Sequence, residues 1–277
     1  IKQGSGKLIL AGANTYSGGT IVNRGVLQGN TTSLQGNILN NASVVFDQAH
    51  TGTYDGILSG TGVVTKQNNG TVVFTGSNTY SGGTMVTLGT LALSGSGTVS
   101  PTGTVIINVG NFDISNITAS SQTIGELIGG GNILLGEKTL ITAAENDTSY
   151  VGIINGTGSF IKQGSGTLTL SGANVYSGGT MINAGTLALS GSGKLSSTGS
   201  VTIHAGIFDI SNITDSFQTI GDLSGIGGEV ILGDKTLIQD TSNHTSYAGA
   251  IRGSGAFIKQ GLGTLILTGH NNYSGGT

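Results

Sequence analysis

Apolar and polar residues alternate in short runs along the chain. Thr167-Leu168-Thr169-Leu170, Thr186-Leu187-Ala188-Leu189 and Ser200-Val201-Thr202-Ile203 each turn every second side chain to one face. A period of two predicts β-strands with one buried and one exposed face. Glycine-rich breaks follow the runs, as at Ser177-Gly178-Gly179, Gly191-Ser192-Gly193 and Gly225-Ile226-Gly227-Gly228. Glycine takes positive φ at little cost, which suits tight corners between strands. No stretch carries a helical period. The pattern predicts an all-β chain of many short strands.

One motif organises these strands. It runs from Lys2 to Thr20 and returns at Lys66–Thr84, Lys162–Thr180 and Lys259–Thr277, at spacings of 64, 96 and 97 residues. This divides the chain into repeat units 2–65, 66–161 and 162–258 and a partial motif 259–277. The two long units align over most of their length. Asn111-Phe112-Asp113-Ile114-Ser115-Asn116 matches Ile207-Phe208-Asp209-Ile210-Ser211-Asn212, and Thr148-Ser149-Tyr150 matches Thr245-Ser246-Tyr247. The first unit keeps both ends, with Tyr54 as the counterpart of Tyr150, and lacks a middle block.

Long, nearly gapless repeats favour a parallel β-helix over a sandwich or an up-and-down barrel. If a solenoid gains or loses only whole coils, the spacings predict coils of roughly 32 residues, or roughly 24 if coil length varies. That amounts to a single solenoid of roughly 9–12 coils over residues 1–277. Equivalent residues such as Leu168 and Leu265 are then expected in shared inward ladders. A chain that begins and ends on the motif reads as a segment of something longer.

Composition narrows the functional classes. Glycine supplies 52 of 277 residues, against a usual share of about 7%. Charged residues make up only 8%, and the ten basic residues are scattered, so no basic stripe offers itself to nucleic acid. No apolar run approaches the ~18 residues of a membrane helix. The absence of cysteine excludes disulfides and thiolate metal sites.

The candidate chemistry is sparse. Carboxylates that repeat, such as Asp113 with Asp209 and Glu126 with Asp222, read as turn or edge residues, because a catalytic site is built once. Asp47, Asp55, Glu145, Asp147, Asp215, Glu229 and Asp240 do not fully repeat and lack an evident basic partner. His50, His204, His244 and His270 show no metal-binding spacing. No catalytic residue, metal ligand or cofactor site is therefore expected. The residues singled out are structural: Asn14, Tyr16, Gly18 and Gly19; Asn78, Tyr80, Gly82 and Gly83; Asn174, Tyr176, Gly178 and Gly179; and Asn271, Tyr273, Gly275 and Gly276. The tyrosines are expected over glycine corners, and the asparagines in a row sharing amide hydrogen bonds from coil to coil.

The motif Gly166-Thr167-Leu168-Thr169-Leu170-Ser171-Gly172-Ala173-Asn174-Val175-Tyr176-Ser177-Gly178-Gly179-Thr180 resembles the passenger-associated transport repeat of autotransporters, also called the autotransporter-associated β-strand repeat. The copy at Gly70 departs from it with Val72, Val73 and Phe74, and the first copy has Lys7 before Leu8. The resemblance implies a right-handed parallel β-helix in the passenger of a large Gram-negative protein, exported through an outer-membrane barrel and displayed on the cell surface or secreted. It implies a secretion-assisting stalk, with adhesion, autoaggregation and virulence as associated roles. Outward polar positions and low charge repulsion point to side-by-side association with copies of the chain, the adhesive role points to a host-surface or matrix ligand, and no membrane contact by this segment is expected. A polysaccharide-active β-helix enzyme and a passive spacer in a toxin or protease are the alternatives.

Overall fold

The computed structural model describes residues 1–277. The chain forms two compact units, Ile1–Lys138 and Thr139–Thr277. Both are all-β, with parallel strands stacked as a solenoid, and together they hold about 13 turns.

Each unit has three faces. In the first, Lys7–Ile9, Val26–Gly29, Ser43–Asp47, Val63–Gln67, Thr84–Val86, Val105–Ile107 and Leu127–Gly129 form the longest ladder. Gly52–Tyr54, Thr71–Phe74, Thr90–Gly95, Asn111–Ile117 and Asn132–Gly136 form the second. Thr20–Val22, Ile38–Asn40 and Leu58–Ser59 form the third. In the second unit the longest ladder runs from Thr148–Tyr150 through Thr167–Leu170, Thr186–Gly191, Ile207–Ile213, Glu229–Gly233 and Ala250–Gly253 to Asn272–Tyr273. Another joins Thr139–Ala143, Phe160–Gln163, Thr180–Ile182, Val201–Ile203 and Leu223–Ser224. A third joins Phe217–Ile220, Thr236–Asp240 and Phe257–Gln260, and Thr245–Tyr247 pairs with Leu265–Leu267.

The core follows from the alternation. Parallel pairing in register stacks every inward residue on the inward residue of the next turn. Leu168, Leu187, Phe208, Val230 and Ile251 make one such column, all fully buried. Val72, Leu91, Phe112 and Ile133 make another in the first unit. Burying each side chain contributes about 1.5–3 kcal/mol, so a turn is stable only with neighbours above and below.

The coil is shorter than expected. Paired residues lie from 17 positions apart, as Val26 with Ser43, to 22, as Val105 with Leu127. Neither the 32-residue nor the 24-residue coil exists, and the turns exceed the expected 9–12. The failed premise is that a repeat must span whole coils. Lys2 bridges Val22 on the third face of its unit, whereas Lys66 stacks on Phe46 in the longest ladder. From Lys2 the chain advances one face and then three turns to reach Lys66. In the second unit Lys162 stacks toward Ile182 and Ile203, but Lys259 pairs with Gln239 on another face. For the same reason Leu168 and Leu265 occupy different ladders, the first paired with Leu187 and the second with Thr245. The three faces are similar enough in pleat and corner for one motif to sit on any of them, so the repeat needs only a whole number of faces.

Candidate functional site

The recurring side chains converge on the corners and core of the solenoid. The motif tyrosine is interior. Tyr80 and Tyr176 are almost fully buried, and each hydroxyl meets the threonine four residues later, at 2.6 Å to Thr84 Oγ1 and 2.7 Å to Thr180 Oγ1. Thr84 and Thr180 stand in inward columns between apolar residues, Val64 and Val105 in one case, Phe160 and Val201 in the other. Each hydroxyl thus satisfies the other where water is excluded. Tyr273 repeats the bond with Thr277 at 2.6 Å, and Tyr16 reaches Thr20 at 3.4 Å. Burial pushes the Tyr80 and Tyr176 hydroxyls well above the ordinary phenol range.

The motif asparagines do not form an amide row. Asn78 accepts from Leu58 N on the preceding turn at 2.8 Å and donates to Thr98 O on the following one at 2.8 Å. Asn174 accepts from Ile154 N at 3.0 Å and donates to Lys194 O at 3.2 Å. Asn271 accepts from Ile251 N at 3.0 Å, and Asn14 donates to Ser33 O at 2.9 Å. Successive motif copies are several turns apart, so no asparagine can reach another; Asn78 and Asn174 instead each tie three turns together through backbone groups, and Asn14 and Asn271 tie two.

The glycine pair permits the tight corner after the tyrosine. A Cβ on Gly82 or Gly178 would collide with the backbone of the preceding turn at Gly62 or Gly158, and on Gly275 with Gly255. Gly83, Gly179 and Gly276 hold φ of 94°, 95° and 93°, and Gly19 holds 72°. Gly18 meets no neighbour within 4 Å.

A further recurring residue escaped the sequence reading. The lysine that opens the motif is buried, with Lys66 1% and Lys162 0% exposed. Lys66 Nζ donates to Gln67 O at 3.0 Å, Asn68 O at 2.6 Å and, one turn on, Leu88 O at 3.1 Å. Lys162 Nζ does the same to Gln163 O, Gly164 O and Ala184 O at 2.8, 2.8 and 3.5 Å. Lys2 donates to Gly4 O and Arg24 O, and Lys259 to Gln260 O, Gly261 O and Thr241 O. The ammonium is a clasp that gathers carbonyls of the corner that follows it and, in three copies, of the next turn. Above it stands a glycine 23 residues later: Gly25, Gly89 and Gly185 all have positive φ, and a Cβ on them would come within 2.7–2.8 Å of the lysine nitrogen. Burial lowers Lys66 to about 8 against the opposing pull of Asp47. The signal was present: a lysine recurring four times, with a glycine at a fixed distance in each copy that reaches that far.

The acidic and imidazole groups are dispersed. Asp113 and Asp209 accept from the backbone of Ser115 and Ser211, two residues on, as Asx turns. Glu145 accepts from Ser165 and Asp147 from Thr167, and these bonds hold both carboxyls below their ordinary values. Asp47 accepts from Gln28 and Asn68, Asp234 pairs with Lys235, and Glu229 with Arg252. His204 bonds Asn183 and His244 accepts from Thr264 N. No three His, Asp or Glu side chains gather in a metal-binding group. No helix is long and apolar enough to cross a membrane.

The model of the passenger-associated-transport-repeat matches at residues 1–28, 64–93, 160–189 and 257–277, the four stretches that carry the clasp, the asparagine and the tyrosine. Over 172 residues the chain is 35% identical to the "Adhesin BmaC autotransporter" of Brucella suis biovar 1 (strain 1330). That alignment covers 58% of this chain and 5% of the length of the curated relative. No solved structure matches. Four matched repeats on a parallel solenoid, together with this similarity, support an autotransporter passenger with passenger-associated transport repeats.

Proposed function

We propose that this segment is a non-catalytic stalk on the surface of a Gram-negative bacterium, exported through the outer membrane as part of a larger adhesin, and that its faces take part in adhesion or self-association. One observation carries the reading. The side chains that recur with the motif point into the scaffold and join successive turns, so the recurring chemistry serves stacking. Such a segment folds turn upon turn from local contacts, which suits a chain emerging through a pore. Thr, Ser and Asn recur at outward positions with little net charge, which suits lateral pairing through many weak polar contacts. The similarity to a protein named an adhesin supports the same role.

Sedimentation velocity over a wide concentration range tests self-association. Assemblies growing with concentration are expected, and a strict monomer at high concentration refutes that part of the reading. Incubation with pectic and host glycans tests the non-catalytic part. Turnover abolished by replacing a single non-repeated acid would refute it.

A further inference from the structure

In the second unit, one surface departs from the repeat. Three consecutive turns bring Asn174-Val175, Lys194-Leu195-Ser196-Ser197 and, from the third, Asp215 and Phe217-Gln218-Thr219 side by side around an open groove of about 410 Å³. Its floor is fixed. Asn174 N donates to Lys194 O at 3.0 Å, Gln218 Nε2 donates to Leu195 O at 3.1 Å, and Leu195 N donates to Gln218 Oε1 at 3.3 Å. Asn174, Leu195 and Gln218 are buried. The rim is open: Phe217 is 51% and Val175 54% exposed, and Lys194 and Asp215 are exposed with no ion pair or side-chain hydrogen bond inside the chain.

The same three turns occur 96 residues earlier, in the first unit, with the same floor. Gln122 Nε2 donates to Val99 O at 3.2 Å and Asn78 Nδ2 to Thr98 O at 2.8 Å. The rim there is different. Thr79, Thr98, Ala119 and Ser121 stand where the second unit has Val175, Lys194, Asp215 and Phe217. The scaffold is preserved while the chemistry-bearing side chains are changed at one place. Stacking requires none of these changes, since the first unit forms the same turns without them.

We propose that this groove binds a neutral oligosaccharide. An exposed phenyl ring, with a valine two turns away on the same groove, offers an apolar surface for the C–H face of a pyranose. Sugar hydroxyls both donate and accept, and the rim supplies an acceptor in Asp215, a donor in Lys194, and hydroxyls in Ser196 and Ser197 that do either. One cation and one anion leave no net charge to select an anionic polymer. The volume lies within the ~300–1,000 Å³ of small-ligand sites. A peptide adding as a strand has no place here, because the floor's backbone groups already bond from turn to turn. With one carboxylate and no second acid opposite it, the groove is built for binding and not for cleavage. This assignment stands apart from the lateral association proposed above, because it rests on Val175, Lys194, Asp215 and Phe217, which break the repeat.

Amide-resolved NMR titration of the 277-residue chain with cellotriose, maltotriose and triacetylchitotriose tests it. At least one is expected to give saturable shifts centred on Lys194–Ser197 and Asp215–Thr219. Phe217→Ser should weaken that binding at least about tenfold, close to 1.4 kcal/mol. Lys194→Thr and Asp215→Ala should weaken it by smaller factors. These are the residues the first unit already carries, so the fold tolerates them. The reciprocal set, Thr79→Val, Thr98→Lys, Ala119→Asp and Ser121→Phe, should create a second site and double the stoichiometry. Absence of saturable shifts with all three sugars overturns the assignment. So do shifts unchanged by Phe217→Ser, or tighter binding of trigalacturonate than of every neutral trisaccharide.

Discussion

The two units place equivalent tyrosines in different company. In the first, Tyr54 packs edge-to-face with Phe46 and Phe74, ring centroids 5.0 and 5.9 Å away, and its hydroxyl donates to Gly36 O at 2.6 Å. Phe46 and Phe74 complete the trio at 5.2 Å. In the second, Tyr247 is equally buried, but its hydroxyl has no partner within the chain. It stacks between Gly225 and Leu267 and makes no ring contact, and the unit's one close aromatic contact is Phe160 with Tyr176 at 6.1 Å. The stacking of the backbone is identical in kind. A repeat therefore fixes how turns join, while the worth of a given side chain is set by whichever neighbours its turn receives.

The largest test of this difference is Phe46→Ala. It removes the centre of the trio and should cost the first unit about 3–5 kcal/mol, read as a lowered midpoint in urea unfolding followed by tyrosine fluorescence. An unchanged midpoint would dissolve the contrast between the two cores. Next come Gly89→Ala and Gly185→Ala. Each forces a Cβ into a positive-φ corner against backbone and the lysine clasp, and should cost about 2–4 kcal/mol by equal amounts in the two units. Unequal costs would show that the corners are not the shared element.

Tyr54→Phe and Tyr247→Phe then separate the two units directly. The first strands Gly36 O and should cost about 1–3 kcal/mol; the second removes a buried hydroxyl without a partner and should be neutral or stabilising. Parallel urea titrations of the two variants check this, and equal losses would count against it. The smallest effect is pH-linked. Lys66, at about 8 in the fold, returns to its ordinary value of about 10.4 when unfolded. Between those values the unfolded chain binds more protons, so stability should rise with pH. Above about 10 the order reverses, because the buried tyrosines stay protonated while unfolded ones ionise. Thermal unfolding against pH should thus pass through a maximum between about 8 and 10, and Lys66→Met should shrink the rise, which the buried Lys162 shares, but keep the fall.

Strands, glycine corners and the parallel stack were legible in the sequence because they depend on local alternation and on φ. The coil length was not. Val26 pairs with Ser43 and Val105 with Leu127, and no residue type marks either distance. The lysine clasp was hidden because a lysine between Gly, Ser and Gln reads as solvated, and only stacking brings Leu88 O over Lys66. The groove was hidden for a related reason. Val175, Lys194 and Phe217 lie about a turn apart and meet only when the turns are superposed. What the sequence did hold was their departure from Thr79, Thr98 and Ser121.

The one-face advance seen between Lys2 and Lys66 puts the repeat and the winding out of phase. Viewed down the axis of either unit, the second motif starts at a different azimuth from the first. A docking partner that approaches from one side reads one copy where the sequence has two, and must itself spiral to read both. The interior is spared this dephasing, because each face accepts the motif equally. Lengthening such a chain by duplication therefore carries an option that a strictly in-phase solenoid lacks: adding a whole number of faces leaves the stack intact and rotates everything displayed beyond it.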